Sequence, residues 1–260
     1  MRSKTVGLVC IVVLISAPLL SQQTGAIPQV VPPILTEETL PEEPGECNLR
    51  TSVDYRASNL EPANALPRLQ FFCGLASRWG GEVDVPFAYP DQRLRNVGFG
   101  DVSTTLKYSL TGTEKRSPAI VIGVETRFPT GTPSRGTGEE GFEVEPLAAL
   151  LIQGSHLGLQ GNAGIGFHAG AGAQTARTYY YNAAATLRFT SRRVYFIGEA
   201  NATHSPGGDS ILSLSPGLHY GITEQVYVAL AVPVPVQGGL GRAGIVTQLQ
   251  FPLRGRRGRE

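Results

Sequence analysis

Val102-Ser103-Thr104-Thr105-Leu106-Lys107-Tyr108-Ser109-Leu110 is the stretch on which the fold turns. One face carries Val102, Thr104, Leu106, Tyr108 and Leu110; the other carries Asp101, Ser103, Thr105, Lys107 and Ser109. A period of two belongs to a strand whose faces meet different surroundings, because successive side chains point to opposite sides of a pleated sheet. The pattern returns at 120–128, where Ile120, Ile122, Val124, Thr126 and Phe128 oppose Glu125 and Arg127. It returns again at 142–152, with Glu143 and Glu145 opposite Phe142, Val144, Ala148, Leu150 and Ile152. Further alternating segments are expected over 48–57, 68–73, 79–89, 157–168, 178–189, 194–203, 210–220, 226–234 and 240–251, bounded by Gly, Pro, Asn, Asp, Ser or Thr clusters. No stretch of helical period with caps accompanies them. The fold class is all-β, with about twelve strands.

An even count of long strands predicts a transmembrane up-and-down antiparallel β-barrel with both ends in the periplasm. Short inner turns are expected at 74–78, 111–117, 154–156, 190–193 and 221–225, and longer outer loops at 90–97, 129–141 and 169–177. A secreted β-sandwich also alternates, with its apolar face inward. Strands of about ten residues favour the membrane over that alternative. So do aromatic residues near strand ends (Phe71-Phe72, Phe87, Tyr89, Tyr108, Phe128, Phe142, Phe167, Tyr179–Tyr181, Phe189, Tyr220, Phe251). The last strand, Ile245-Val246-Thr247-Gln248-Leu249-Gln250-Phe251, ends on an aromatic residue and resembles the signal read by the outer-membrane assembly machinery.

With apolar residues against lipid, Glu82, Asp84, Asp101, Lys107, Glu125, Arg127, Glu143, Glu145, Arg188 and Glu199 are expected to line the lumen. The reason is energetic: a Lys or Arg on the lipid side at the midplane costs ~2–4 kcal/mol. Glu125 and Arg127 beside Glu143 and Glu145 form the densest cluster, next to a 129–141 loop that could fold inward as a constriction. Such mixed charges line a small pore or close it as salt-bridged plugs. The two functional readings are therefore a passive channel for small molecules and a non-conducting structural or surface-interaction barrel with a plugged polar interior.

Residues 1–26 read as a secretory signal peptide: Arg2 and Lys4, an apolar stretch over 6–20 too short to span a bilayer, then small residues before position 27. Cys10 lies inside the apolar stretch after Leu8-Val9, without the small residue that lipidation requires. Residues 27–46, rich in Pro and Glu, read as an extended periplasmic linker. The barrel is expected over 47–252 and a basic tail, with Arg254, Arg256, Arg257 and Arg259, over 253–260. On this register Cys47 opens the first strand and Cys73 closes the second, so a disulfide across the hairpin base is expected; free thiols are the alternative.

Near-balanced charge, net +1, provides no footprint for nucleic acid. His156, His168, His204 and His219 are scattered without metal-ligand spacing, and no metal or cofactor is expected. Gly136-Thr137-Gly138-Glu139-Glu140-Gly141 matches GxGxxG, but two carboxylates sit in it and a strand follows, so it reads as a loop. His204-Ser205, and His219 with Ser213 or Ser215, are the nearest Ser–His candidates; no enzyme is expected.

Gly98-Phe99-Gly100-Asp101-Val102-Ser103, Leu106-Lys107-Tyr108, Phe128-Pro129-Thr130-Gly131 and Gly136-Thr137-Gly138 occur in an order that resembles the outer-membrane "transporter" family named for the meta-cleavage pathway of phenol degradation. The turns Gly74-Leu75-Ala76-Ser77-Arg78 and Gly221-Ile222-Thr223-Glu224-Gln225 fit the same pattern. The resemblance covers about residues 46–252. It implies a small Gram-negative outer-membrane barrel, in contact with lipid, that passes small solutes, aromatic or hydrophobic ones among them; it supplies no catalytic residues.

Overall fold

A computed structural model of the chain describes residues 35, 40–58, 64–88, 98–111, 118–170, 177–189, 193–208, 210–223, 226–238 and 241–253. The expected signal peptide, most of the linker, the 90–97 loop and the tail beyond residue 253 lie outside them. Alternation becomes strand throughout: β1 (Cys47–Ser58), β2 (Asn64–Ala76), β3 (Trp79–Ala88), β4 (Gly98–Phe99), β5 (Val102–Ser109), β6 (Ala119–Phe128), β7 (Phe142–Gln153), β8 (Leu157–Ala169), β9 (Arg177–Arg188), β10 (Val194–His204), β11 (Ser210–Gly221), β12 (Tyr227–Ala231), β13 (Val234–Gln237) and β14 (Gly241–Pro252).

These segments build twelve staves. The two-residue β4 merely extends the pairing of β3, through Phe87↔Phe99. β12 and β13 are one stave interrupted at Val232-Pro233, where proline has no N–H to donate. Pairing bridges the break, since Val232 N–H donates to Pro216 O at 2.9 Å and Gly244 N–H to Pro233 O at 2.9 Å. All neighbours are antiparallel, and β1 pairs with β14 from Asn48↔Pro252 to Ser58↔Gly241, which closes the barrel and removes its edges.

β2 departs from the expected 68–73. It carries Pro67 opposite Val53 and Gly74 opposite Gly80 inside the strand, so the turn into β3 shrinks to Ser77-Arg78. A stave with a partner on each side survives the loss of one donor, which a local turn signal does not register.

The interior is inverted relative to a soluble protein. Arg50, Glu82, Asp84, Lys107, Glu143 and Glu199 are buried, whereas Ile120, Ile122, Val124, Leu214, Leu218, Val228, Leu230 and Ile245 are exposed on the outside of the wall. A belt of that extent is far larger than soluble surfaces carry, and lipid is the solvent that suits it. The sandwich alternative is thereby excluded.

Candidate functional site in the barrel lumen

Two charged clusters occupy the inner wall. The first lies toward the end of the barrel where β1 begins and β14 ends. Gly80, Glu82 and Asp84 share the inward face of β3; β5 contributes Lys107, and β2 contributes Arg68 and Gln70. Lys107 Nζ stands 3.1 Å from Glu82 Oε2, with both side chains less than a tenth exposed, and Gln70 Nε2 donates to Glu82 Oε1 at 3.3 Å. Arg68 reaches Asp84 at 2.9 Å. Lys107 and Glu82 thus satisfy one another where neither is open to solvent, whereas Arg68 is itself half exposed and brings its charge to a buried Asp84.

The second cluster lies beside it, on β6 to β9: across β5, Ser103 pairs with both Asp84 and Arg127, and Thr105 with both Glu82 and Glu125. Arg127 contacts Glu143 at 2.9 Å and Glu125 at 3.6 Å. Glu143 also accepts from Tyr180 Oη at 2.8 Å and faces His168 Nε2 at 3.2 Å. Gly166 makes this possible: a Cβ there would occupy the place of the Glu143 carboxylate, so the carboxylate lies flat against β8. Glu145 lies the same way over Gly164.

Of the remaining expected lining residues, Glu199 is buried midway along β10, and its two carboxylate oxygens accept from the Leu35 N–H at 2.9 and 3.1 Å. Arg188 is half-buried at the opposite end of β9 from Tyr180. Asp101 has a different partner set: Oδ1 accepts from Gly131 N–H at 2.9 Å and Oδ2 from Glu139 N–H at 2.7 Å. It ties down the 129–141 loop rather than joining either charge cluster.

That tie gathers the family motif into one knot. Thr130 Oγ1 donates to Gly100 O at 3.0 Å and accepts from Val102 N–H at 2.9 Å, and Thr132 N–H donates to Thr137 Oγ1 at 2.9 Å. Gly131 allows the two limbs of the loop to meet, since a Cβ on it would stand 2.5 Å from Thr137 O. Motif segments far apart in the chain therefore anchor one loop to the rim. Asp101→Ala removes two charge-assisted bonds, of about 1.5–3 kcal/mol each before solvent at the exposed loop discounts them. Faster proteolysis within 129–141, with the barrel otherwise intact, is the expected result.

The sequence pattern did not place Arg50, Arg68, Gln70, His168, Tyr180, Gln248 or Gln250 among the lining residues, and Tyr180, expected in the aromatic girdle, turns its hydroxyl inward to Glu143 instead. All fall on inward positions of the same alternation, so the register would have found them. Arg50 holds Gln250 Oε1 at 3.0 and 3.2 Å and lies 4.3 Å from the Phe72 ring centroid. The lumen also has an apolar wall, which charge sorting alone could not reveal: Tyr195, Ile197, Ala229, Ala231 and Val246 cluster on β10, β12 and β14, with Leu35 packed on them.

Cys47 pairs directly with Cys73, with Cα atoms 4.2 Å apart and the sulfurs bonded. The Ser–His candidates do not meet as nucleophile and base. His204 Nδ1 bonds Ser210 Oγ at 2.8 Å, and Ser205 Oγ bonds Thr178 Oγ1 at 3.2 Å. Ser215 and His219 sit on one face of β11 but four residues apart, roughly 13 Å along a strand. Among the described residues, no group of three or more His, Cys, Asp or Glu could hold a metal ion.

The family model described as "Putative MetA-pathway of phenol degradation" matches residues 73–246. Among solved structures, the COG4313 outer membrane channel from Pseudomonas putida F1 superposes with a TM-score of 0.62 at 12% identity, covering 85% of this chain and 99% of that one. The NanC porin gives 0.61 at 12% identity, covering 78% and 98%. The KdgM porin in complex with disordered oligogalacturonate gives 0.57 at 12% identity, covering 78% and 98%. At these identities the likeness is one of fold. No curated protein matches the sequence.

Proposed function

The chain belongs to the family of the MetA-pathway of phenol degradation, and from that premise we propose that it is a passive outer-membrane channel for small molecules. The observation that carries this reading is the inverted wall. Charged and amide side chains face inward from β1, β2, β3, β5, β6, β7, β8, β9, β10 and β14, and an apolar belt faces lipid. Together they form a polar path through a membrane-compatible shell. The family's name and the apolar stretch of the inner wall support small aromatic or hydrophobic solutes as cargo. The final stave, ending at Phe251-Pro252, supports recognition by the barrel-assembly machinery. No chemistry is assigned to the lumen, so the reading is of a conduit rather than an enzyme.

Refolded mature protein in a planar bilayer is expected to give reproducible unit conductance steps, in samples whose migration on a detergent gel shifts on heating. Silence from heat-modifiable protein would favour the second reading, a plugged structural barrel. That reading draws on Leu35, which sits inside the lumen.

A further inference from the structure

We propose that the lipid-facing wall carries a seat for a single phospholipid of the periplasmic leaflet, with one acyl chain lying in a groove across β2, β3, β5 and β6 and the phosphate at Arg78. The proposal rests on the barrel's place in the outer membrane and is independent of whether the lumen conducts.

The outer wall is not evenly filled. A groove of about 550 Å³ opens on it, lined by Gly81, Thr104 and Thr126 among taller neighbours such as Phe71, Leu75 and Leu106, which are exposed on the outside. Register explains the hollow. Gly81 and Leu106 share one outward row, and Val83, Thr104 and Thr126 share the next. Gly81 is therefore the diagonal neighbour of Thr104, and Thr104 the direct neighbour of Thr126, so a bare backbone and two short side chains adjoin where the belt elsewhere presents Leu, Ile, Val or Phe. Leu75 already leans over Gly81, since a Cβ added there would stand 3.2 Å from its Cδ1.

The surroundings choose the occupant. Solutes in the lumen do not reach the groove through the wall, because β3 and β5 pair without a break from Trp79↔Tyr108 to Asp84↔Ser103 beneath it. A two-fold pair of barrels centred here would set hollow against hollow, since such an interface presents the same patch from both sides. Lipid already meets the surrounding belt, and an acyl chain is thin and flexible enough to fill a groove whose empty wall would forgo dispersion contacts.

The rim supplies what the rest of a phospholipid requires. Trp79 and Tyr108 pair in the row between the groove and the rim, their rings 4.8 Å apart, at the headgroup level where an indole N–H and a phenol hydroxyl find polar partners. Arg78, immediately before Trp79 in the β2–β3 turn, is exposed and brings a cation to the same rim. That rim also holds the start of β1 and the end of β14, the periplasmic side of a barrel with an even number of staves. From Trp79 to Val83 is ~14 Å along β3, so the groove stays within the nearer half of a hydrocarbon core ~30 Å thick. A cation, an interfacial aromatic pair and an apolar groove thus follow one another up the wall in the order of phosphate, glycerol and acyl chain.

The test uses Trp79, the only tryptophan, as reporter, since a brominated acyl chain quenches an indole only at close contact. In folded mature protein held in micelles, brominated phosphatidylglycerol is expected to quench saturably at low lipid fraction. Its half-point should lie about fivefold below that of brominated phosphatidylcholine, the effect of one basic side chain at an anionic headgroup. Arg78→Gln should erase the difference between the two lipids. Thr104→Phe with Thr126→Phe, which fills the groove, should raise both half-points on the order of threefold or more and leave the lumen's conduction as in wild type. Quenching that merely tracks the bulk fraction of brominated lipid, alike in wild type and the filled variant, would overturn the seat. Relief of quenching by added toluene at constant lipid would overturn it too, by assigning the groove to an apolar solute. A wild-type dimer in light scattering that the filled variant makes monomeric would do the same in favour of a second copy. Saturable quenching without preference between the headgroups would overturn the place of the phosphate at Arg78. Heat-modifiable migration of each variant confirms that it is folded.

Discussion

Glu82→Leu is expected to destabilise the folded barrel by about 3–5 kcal/mol, because it takes the carboxylate from a buried ammonium 3.1 Å away. Lys107 is held on β5 and cannot follow its charge into water without leaving the stave, and Gln70 loses an acceptor at the same time. Replacing both partners, Glu82→Leu with Lys107→Met, should recover most of that loss, since two apolar side chains need no charge compensation. Denaturant unfolding in vesicles reads this directly through Trp79, the only tryptophan, which sits at the start of β3 with its ring 4.8 Å from that of Tyr108. A single variant within about 1 kcal/mol of wild type would mean that lumen water solvates the pair as well as the partners do, and the buried-pair account would fall.

Val53→Arg is expected to cost ~2–4 kcal/mol, the cost of a cation on the lipid face near the midplane. Val53 is outward and exposed at the middle of β1, opposite Pro67 and Thr247. Ser52, one residue earlier, faces the lumen, so Ser52→Arg should cost distinctly less even though it approaches Arg68 on β2. Folding yield into vesicles and the same fluorescence titration compare the two. Equal penalties would mean that the two faces do not differ in solvent, and the inside-out assignment would be untenable.

Much of this molecule was legible in its sequence, for a local reason. Alternation at 102–110 reports a strand with two unlike surroundings, and a strand's faces are set by the backbone alone. The expected turn at 154–156, and the described part of the one at 221–225, lie where the barrel turns, because Gly, Ser and Thr act within a few residues. What failed locally was the reach of β2: Pro67 and Gly74 looked like stops, and only the pairing on both sides carried the strand through them.

The partners were another matter. Glu125, Arg127 and Glu143 were adjacent in the expected register, but Tyr180 and His168 reach Glu143 only because β8 and β9 follow it round the ring and Gly166 leaves room. Asp101 had the parity of a lining residue, and its role as the anchor of the 129–141 loop depends on a chain return of some thirty residues. The segment before Cys47 illustrates the limit most clearly. Its composition excludes a core of its own, yet composition is silent on whether an extended chain runs away from the barrel or back into it.

By itself, then, the sequence determined the period, the faces and the order of the staves, since these follow from side chains one or two residues apart. Tertiary structure alone decided which charges meet in the lumen and where Leu35 lies. Those depend on ring closure, which brings together groups more than 160 residues apart, such as Leu35 and Glu199, and no local pattern encodes that distance.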